Sequence, residues 1–386
     1  MRSLLPPAVI GIIGGGQLGM MTIREAQRMG YRTVVWDPSR DCPASRLADS
    51  TIAAPFDDKN AATILSDSVD VATYEFENID AATVERVEQN VPVLPGSTIL
   101  KIAQHRKEEK EELAKRGFPV VQYRAATGTK ELLTALNEVG LPAVVKTATS
   151  GYDGKGQTVI RTSQDEQAFL NQTNTENREY VVEKLLDLRC ELSSIVVRNA
   201  NGDVAAFPVA ENVHRNNILH RTIVPSRMPA ALVKQAEELG RAIIESFGMV
   251  GVLCVEMFVT KDGTLLVNEL APRPHNSGHY SLDACSCSQF EALVRAVCGL
   301  ALTQPKLLIP CAMVNLLGKH LERLDVPKLM AWDSTKLHLY GKTKVEPNRK
   351  MGHITVLGRT TEEVWEKVRH VEEMIGEANE ETVPWK

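Results

Sequence analysis

The chain has 386 residues, of which 43% are hydrophobic and 24% are charged, and its formal net charge is −5 at pH 7. This length allows two or three domains with hydrophobic cores, while the weak negative charge argues against nucleic acid or an anionic membrane as a partner. Seven cysteines without a CxxC pair favour neither a disulfide framework nor a zinc site, and no apolar run approaches the length of a membrane helix. We therefore expect a cytoplasmic enzyme.

The N-terminal segment reads as a βαβ unit. An apolar strand at 9–13 leads into GGGQLG at 14–19, a helix follows at 20–29, and a second strand at 31–36 is followed by Asp37. Glycines at this spacing with an acid after the second strand match the dinucleotide-binding fingerprint. An NAD(P)-linked oxidoreductase is therefore one alternative, although the chain does not continue the strand–helix alternation that such enzymes normally carry.

The alternation ends near residue 100. It predicts further strands near 51–54, 69–74 and 91–94, and helices near 59–66 and 81–89. This pattern is typical of a doubly wound parallel sheet, in which the strand ends meet at a single edge. We predict an N-terminal Rossmann-like domain over residues 1–100 that presents Gln17, Asp37 and Glu75 at that edge.

A glycine-rich segment dominates the next part of the chain. A charged helix at 104–116, with Arg106 near its start, precedes two apolar strands that flank the segment 147–155. Lys146 and Lys155 stand at its two ends. Glycines let backbone N–H groups approach a phosphate, and Lys146, in an apolar strand, requires an anionic partner. The pattern favours nucleoside triphosphate over a solvated hairpin, and its spacing is not that of a P-loop.

The following segment, from residue 180, predicts antiparallel strands and one hairpin that carries two carboxylates. The hairpin strands lie at 252–260 and 264–270. A two-residue turn at Asp262-Gly263 would place Glu256 directly opposite Glu269, with Cβ atoms roughly 5 Å apart. Facing carboxylates repel unless a cation or a proton separates them. Together with triphosphate oxygens they would form a Mg²⁺ site; another loop length would offset them.

Two further groups of polar residues follow the hairpin. Pro272 and Pro274 stiffen the backbone beside Arg273, His275 and Asn276, and an arginine fork suits a carboxylate, a phosphate or bicarbonate. The second group is a basic cluster that flanks the turn at 345–348 and consists of Lys342, Arg349 and Lys350. From the residues alone, this cluster is either a binding site or a solvated basic loop.

Taken together, these features resemble the ATP-grasp superfamily, and within it the ATP-dependent carboxylases of purine synthesis. The resemblance covers nearly the whole chain and rests on GGGQLG at 14–19, YEFENI at 74–79, SGYDGKGQ at 150–157, EKLLDLRCELS at 183–193 and NELAPRPHNSGHY at 268–280. Ala271 stands where many members carry Asn. The third oxygen ligand of the metal therefore stays open, with Asn268 as one candidate.

The resemblance implies a mixed α/β fold of the ATP-grasp type. It has an N-terminal doubly wound parallel-sheet domain, a small lid domain and a C-terminal antiparallel-sheet domain. The implied boundaries are 1–100 for the Rossmann-like domain, 101–182 for the linker helix and lid, 183–305 for the catalytic domain, and 306–386 for the domain that completes the substrate site.

The resemblance also implies which residues bind each ligand. For ATP they are Arg106, Lys146, Gly151, Tyr152, Asp153, Gly154, Lys155, Gly156, Gln157, Glu183, Lys184, Leu185, Leu186, Glu191, His214, Asn268 and Glu269. For Mg²⁺, which Mn²⁺ can replace, they are Glu256 and Glu269. For bicarbonate and catalysis they are Arg273, His275, Asn276, Tyr152, Asp153 and Lys155. For 5-aminoimidazole ribonucleotide they are Gln17, Glu75, Lys342, Arg349 and Lys350, beside Tyr152 and Asp153.

The reaction implied by the resemblance has two stages. Bicarbonate attacks the γ-phosphorus of ATP to give carboxyphosphate and ADP. The exocyclic amine of the ribonucleotide then attacks the carbonyl carbon, either directly or through released CO₂. The expected partners are small molecules only, with a homodimer implied by the family. A formate-dependent glycinamide ribonucleotide transformylase is the alternative within the superfamily, and a non-catalytic nucleotide sensor is another; the sequence HNSGH at 275–279 favours the carboxylase.

Overall fold

The computed structural model describes residues 3–149 and 156–377, and the strands within these ranges form three sheets. One is a four-stranded parallel sheet, one a small four-stranded antiparallel sheet, and one a long antiparallel sheet of nine strands. In these two ranges, none of the helices is long and apolar enough to cross a membrane.

The N-terminal domain contains the predicted parallel sheet, with the strand order β3-β2-β1-β4. Its elements are β1 (Val9–Ile13), α1 (Gln17–Arg28), β2 (Arg32–Asp37), β3 (Ser50–Ala53), α2 (Lys59–Ser68), β4 (Val71–Tyr74) and α3 (Ala81–Glu88). The strand predicted at 91–94 is wrong, since this segment makes only an isolated parallel bridge between Val93 and Ala72.

The linker that follows is a pair of helices, α4 (Ser97–Gln104) and α5 (Arg106–Lys115). The helix predicted at 104–116 corresponds to α5, which begins two residues later and ends one residue earlier, whereas α4 was not predicted. His105 is extended between the two helices, with φ −126° and ψ 101°. The N–H of Arg106 donates to the carbonyl of Ala148 at 2.9 Å. This bond ties the start of α5 to the glycine-rich hairpin.

The small sheet has the order β5-β8-β6-β7 and contains the predicted hairpin that flanks the glycine-rich segment. Its elements are β5 (Tyr123–Thr127), α6 (Gly128–Val139), β6 (Ala143–Thr147), β7 (Gln157–Ile160), α7 (Ser163–Gln172) and β8 (Glu179–Lys184). The predicted domain boundary at 182/183 falls inside β8, so this sheet continues to Lys184. The site residues predicted at 151–155 lie outside the described residues.

The long sheet joins the predicted catalytic and C-terminal domains, because β12 pairs with β15 across the boundary expected at 305/306. Its order is β14-β13-β9-β11-β12-β15-β17-β16, with β10 attached to β9. The elements are β9 (Leu188–Arg198), β10 (Val204–Ala206), β11 (Ala210–Arg215), β12 (Ile218–Val224), α8 (Ala230–Phe247), β13 (Gly251–Thr260), β14 (Leu265–Ala271), α9 (Ser281–Ala284), α10 (Gln289–Val297), β15 (Cys311–Leu317), α11 (Gly318–Leu321), α12 (Val326–Met330), β16 (Thr335–Leu339), β17 (Lys350–Leu357) and α13 (Thr361–Met374).

The glycine loop before α1 is bound by carboxylates of the protein itself. Gly15 N–H donates to Asp37 Oδ2 at 2.8 Å, and Gly19 N–H donates to Glu75 Oε2 at 2.7 Å. Gly16 N–H makes a further bond to Glu75. A dinucleotide would place its phosphate against these same N–H groups. The loop therefore favours an internal carboxylate cap over an NAD(P) site.

We expect Glu75→Gln to destabilise the N-terminal domain by about 1–3 kcal/mol, because an amide in this position leaves at least one loop N–H without an acceptor. Urea denaturation of the purified protein measures the change. Glu85→Gln is the matched control, since the Glu85 side chain is 45% exposed and pairs with Lys101 at the surface; we expect little change there. Equal stability of both variants would contradict the capping role.

Candidate active site

A cleft of about 1160 Å³ is lined by residues from the N-terminal domain, the linker, the small sheet and the long sheet. It brings together most of the predicted site residues: Gln17, Arg106, Lys146, Gln157, Glu191, His214, Glu256, Asn268, Glu269, Arg273, His275, Asn276, Lys342, Arg349 and Lys350. Six other predicted residues do not line it, namely Glu75, Gly156, Glu183, Lys184, Leu185 and Leu186. The remaining five, Gly151, Tyr152, Asp153, Gly154 and Lys155, lie outside the described ranges.

Lys146 reaches the cleft from β6, and its closest anion is a carboxylate of the protein. Its Nζ lies 2.8 Å from Glu183 Oε2, and Lys110 Nζ lies 3.2 Å from Glu183 Oε1. Lys110 also donates to the carbonyl of Asn268 at 3.3 Å. The glutamate side chain is only 3% exposed, so the Glu183 carboxylate acts as the partner of two lysines.

The charges around Lys146 do not balance within the protein. Burial opposes ionisation of Glu183, but Lys146 and Lys110 outweigh it and lower the pKa of Glu183 to about 2. Burial lowers the pKa of Lys146; Glu183 opposes this effect, while Lys110 and Arg106 add to it. One carboxylate thus faces two lysines, while Arg106 lies beside Glu269. The sequence argument that a buried Lys146 requires an anion overlooked Glu183, yet the remaining positive charge still favours phosphate at this end of the cleft.

Glu191 and His214 form a second polar pair in the cleft. His214 Nδ1 lies 2.8 Å from Glu191 Oε2. Burial disfavours the imidazolium, but Glu191, with help from Glu256, outweighs burial and raises the pKa of His214. A β-bulge between β11 and β12 occurs at His214. These two side chains offer an acceptor and a donor to a ligand in the cleft.

Glu256 and Glu269 lie directly opposite each other on β13 and β14, as predicted. The turn used to predict this register is wrong. Thr260 pairs with Thr264 around a three-residue loop in which Gly263 has φ +87°, a conformation that suits glycine. The pairs between the turn and Met257 are therefore shifted by one residue from the predicted register. A bulge at Asn268 restores the predicted pairing from Glu256 onwards.

The two carboxylates have few internal counter-charges. Burial and the charge of Glu269 raise the pKa of Glu256. Glu256 Oε1 lies 3.1 Å from His275 Nε2, and Arg106 Nη1 lies 3.4 Å from Glu269 Oε2. Among the described residues, the buried Asn268 Oδ1 has no hydrogen-bond partner. Facing carboxylates with an unpartnered amide oxygen between the strands make a donor set that suits Mg²⁺.

A softer metal has weaker support at this point. Cys254, Glu256 and His275 offer potential ligand atoms within 4.8 Å of one another. Cys254 is fully buried and does not line the cleft, whereas Glu256 and Glu269 do. The oxygen donors therefore define the centre that faces the cleft.

Arg273 is already engaged by a residue that sequence reasoning missed. Its Nη2 donates to Glu77 Oε1 at 2.7 Å, its Nε contacts the other carboxylate oxygen, and its Nη1 donates to the carbonyl of Pro274. Burial opposes ionisation of Glu77, but Arg273 outweighs it and lowers the pKa of Glu77. The arginine fork expected for bicarbonate thus faces Glu77, which leaves its two other N–H groups for an anion.

His275 and Asn276 are fixed by buried neighbours. Burial lowers the pKa of His275 well below its ordinary value, and the charge of Arg273 acts in the same direction. Asn276 and Asn315 exchange two amide hydrogen bonds of 3.0 and 2.9 Å. Both side chains therefore enter the cleft with defined orientations.

The basic cluster lines the cleft and is held by backbone carbonyls. Lys342 Nζ donates to the carbonyl of Lys350 at 2.8 Å, and Arg349 Nη1 donates to that of Lys344 at 2.8 Å. Lys350 lies at the start of β17. Both contacts are to carbonyl oxygens, which carry no formal charge.

Several cleft or supporting residues were missed from sequence. They are Glu77, Asn78, Lys110, Arg215, Phe258, Asn315, Lys319, His320 and Glu377. Lys110 could have been found from its position one helical turn after Arg106. Arg215, Lys319 and His320 meet around Glu377 from distant parts of the chain, and no local pattern signals this contact.

Comparison with known families assigns three segments of the chain. Residues 8–104 match the ribonucleotide synthetase preATP-grasp domain, residues 111–290 match the ATP-grasp domain, and residues 311–367 match the phosphoribosylaminoimidazole carboxylase C-terminal domain.

Whole-chain relatives agree with these matches. The chain is 45% identical over 363 residues to the N5-carboxyaminoimidazole ribonucleotide synthase of Bacillus subtilis, covering 93% of this chain and 94% of the relative. It resembles the N5-carboxyaminoimidazole synthetase of Staphylococcus aureus complexed with ADP, with a TM-score of 0.91, 40% identity and coverage of 97% and 99%. It also resembles the N5-carboxyaminoimidazole synthase of Aspergillus clavatus in complex with ADP and 5-aminoimidazole ribonucleotide. The TM-score is 0.86 and the identity 28%, and the match covers 96% of this chain and 98% of that chain.

We expect Glu183→Gln to destabilise the protein by about 3–5 kcal/mol at neutral pH, because it leaves two buried lysines without their carboxylate. The folded pKa of Glu183, about 2, lies below its ordinary value. The carboxylate therefore stabilises the fold above pH ~4.5, and this contribution is lost as the pH falls towards 2.

Chemical denaturation at pH 7 and at pH 3 measures this effect. The difference between the parent and Glu183→Gln should shrink at the lower pH. Glu179→Gln on the same strand is the control, since Glu179 is exposed and should give little difference at either pH. A pH-independent difference would show that Glu183 acts by packing and not by charge.

Proposed function

The chain belongs to the N5-carboxyaminoimidazole ribonucleotide synthase family of ATP-grasp ligases, and from this premise we propose that it carboxylates the exocyclic amine of 5-aminoimidazole ribonucleotide with ATP and bicarbonate. It is an ATP-dependent ligase of purine biosynthesis. The observation that carries the proposal is one cleft with two separate cationic regions, one at Lys146 and one at Lys342, Arg349 and Lys350. Two phosphorylated substrates require such separation, because their phosphates repel.

The alternatives have less support. An NAD(P)-linked oxidoreductase would require the glycine loop that Asp37 and Glu75 already cap. The transformylase of the same superfamily usually carries His-Asp-Thr-Gly where this chain reads His275-Asn276-Ser277-Gly278. The whole-chain relatives bear the carboxylating synthase name.

ATP is assigned to the end of the cleft formed by β6, α5 and β9. Lys146 and Arg106 would contact its phosphates, with Gln157 at the end of the glycine-rich segment. Glu191 would bind the ribose beside His214. Lys184, Leu185 and Leu186 stay predictions for the adenine pocket, as do Gly156 and the segment 151–155 for the phosphates. The prediction for Glu183 changes from adenine contact to support of Lys146.

Glu256 and Glu269 would hold Mg²⁺ or Mn²⁺, with Asn268 as the third oxygen ligand. When bound, the metal supplies positive charge that stabilises the transferring phosphoryl group. The protein's own part is to hold two carboxylates on facing strands and to keep Arg106 beside them. The raised pKa of Glu256 supports this assignment, because a dication would remove the repulsion that raises it.

Bicarbonate is assigned to the space beside Arg273 and Asn276. An oxygen of bicarbonate attacks the γ-phosphorus, the bond to the bridging oxygen breaks, and ADP leaves. The ribonucleotide amine then attacks the carbonyl carbon of carboxyphosphate, phosphate leaves, and the nitrogen loses a proton. Arg273 neutralises charge on the carboxyl oxygens, and exclusion of water limits loss of the labile intermediate.

The ribonucleotide phosphate is assigned to Lys342, Arg349 and Lys350, with Gln17 at the opposite wall of the cleft. Glu75 does not line this wall, so its expected contact with the ribonucleotide becomes indirect, through the backbone of Gly16 and Gly19. A homodimer and a cytoplasmic location stay predictions from the family resemblance.

The proposed reaction predicts that ADP is released fastest when bicarbonate and 5-aminoimidazole ribonucleotide are both present with ATP and Mg²⁺. A coupled assay measures ADP with each co-substrate singly and then together, and ¹³C-bicarbonate identifies the carboxylated product. NADH oxidation serves as the control for the alternative class. Release of ADP with formate and not with bicarbonate would overturn the proposal.

We expect Arg349→Ala to raise the KM for 5-aminoimidazole ribonucleotide by roughly thirtyfold, about 2 kcal/mol, with little change in the KM for ATP. Lys344→Ala is the matched control. Lys344 lies in the same loop but is exposed and pairs with Glu346, and its backbone carbonyl, which accepts from Arg349, is retained. A rise in the KM for ATP instead would place the ribonucleotide elsewhere.

A further inference from the structure

A buried chain of hydrogen bonds runs from His275 into the interior of the long sheet. Ser277 Oγ lies 2.8 Å from His275 Nδ1, and Ser193 Oγ lies 2.7 Å from Ser277 Oγ. Asn212 Nδ2 donates to Ser193 Oγ at 3.0 Å, and Thr222 Oγ1 donates to Asn212 Oδ1 at 3.0 Å. Ser193, Ser277 and Thr222 are fully buried. Neither the substrates nor the metal requires this chain directly.

The direction of the chain follows from a backbone donor at its end. The backbone N–H of Ser277 points to His275 Nδ1 at 3.3 Å, and a backbone N–H can only donate. Nδ1 must therefore be the unprotonated nitrogen. The Ser277 hydroxyl then donates to the same nitrogen and accepts from the Ser193 hydroxyl. Ser193 in turn accepts from the amide of Asn212, so every proton in the chain points towards the ring.

The backbone of His275 is fixed independently by Gln289. Gln289 Oε1 accepts from His275 N–H at 2.9 Å, and Gln289 Nε2 donates to the carbonyl of His275 at 2.8 Å. Gly278 makes room for this contact, because a Cβ there would lie 2.5 Å from Gln289 Oε1. With backbone and Nδ1 both held, the ring can direct only Nε2 towards the cleft.

The other nitrogen of the ring faces the proposed metal carboxylate. His275 Nε2 lies 3.1 Å from Glu256 Oε1. Because Nδ1 carries no proton, a neutral imidazole carries it on Nε2 and donates it to that oxygen. A histidine that donates to a metal-binding carboxylate orients the carboxylate and strengthens metal binding.

We propose that Ser277 is a positioning residue that holds His275 in the Nε2–H tautomer, so that His275 serves as a hydrogen-bond donor to Glu256 and not as a general base. The metal part of this inference rests on the proposed function, whereas the tautomer does not. A general base would need a free lone pair towards the substrates, and the only lone pair of this ring faces Ser277.

Nuclear magnetic resonance of ¹⁵N-histidine-labelled protein tests the tautomer without substrates or metal. We expect the Nδ1 signal of His275, assigned by its loss in His275→Gln, to have the shift of an unprotonated nitrogen and Nε2 that of a protonated one. In Ser277→Ala the two signals should move towards each other, because only the long backbone contact remains. A protonated Nδ1 in the parent protein would overturn the proposal.

Mn²⁺ binding in the presence of ADP tests the consequence for Glu256. His275→Ala should weaken Mn²⁺ binding by about 10- to 100-fold. His275→Gln should retain most of the Mn²⁺ affinity, because its amide can replace the Nε2–H donor. It should also retain more turnover than His275→Ala. The Mn²⁺ affinity of Ser277→Ala should lie between those of the two His275 variants. In the His275→Ala background, adding Ser277→Ala should reduce Mn²⁺ affinity little further. If Gln and Ala at position 275 are equally inactive with unchanged Mn²⁺ affinity, His275 acts on the substrate and the proposal is wrong.

Ser194→Ala is the matched control, since Ser194 is buried beside Ser193 and its hydroxyl has no partner among the described residues. Its tautomer signals and Mn²⁺ affinity should equal those of the parent. If ADP release fails to depend on bicarbonate while the histidine signals are as expected, the proposed function fails and the tautomer assignment stands.

Discussion

The buried contact of Glu183 with Lys146 and Lys110 is the interaction on which the cleft depends. It joins β8 and β6 of the small sheet to α5 of the linker, and Lys110 extends it to the bulge of β14 through the carbonyl of Asn268. Taking three charges out of water is costly unless each retains a partner. Because one carboxylate serves two lysines, the cluster keeps a net positive charge at the point where a phosphate is required.

The same principle organises the rest of the cleft. Arg273 faces Glu77, His214 faces Glu191, and Arg106 faces Glu269, so most charged groups are oriented by an internal partner before any substrate binds. Such prior orientation reduces the entropy that binding must otherwise overcome. Glu256 differs, because burial and the charge of Glu269 on the facing strand raise its pKa, and we propose this pair as the metal site.

Much of this arrangement could be predicted from sequence, and the failures have physical causes. The register of Glu256 and Glu269 was right because the three-residue loop and the bulge at Asn268 shift the pairing in opposite directions. Helix α4 was missed, because Pro95-Gly96-Ser97 was interpreted as a domain boundary and not as the start of a helix. Glu77 and Lys110 were missed as site residues because their partners lie far along the chain. A charged residue without a partner nearby in the sequence is expected to be solvated.

The continuity of the long sheet has a geometric consequence. Glu256 on β13 and Lys350 on β17 are separated by five strand spacings, which would be roughly 24 Å on a flat sheet. Yet both line one cleft, and the charge of Lys350 is near enough to lower the pKa of Glu256. The sheet must therefore curl into an arc with the substrates on its concave side. The distance between the two phosphorylated substrates is then set by the curvature of one hydrogen-bonded surface, and any motion that flattens the arc draws the reacting groups apart.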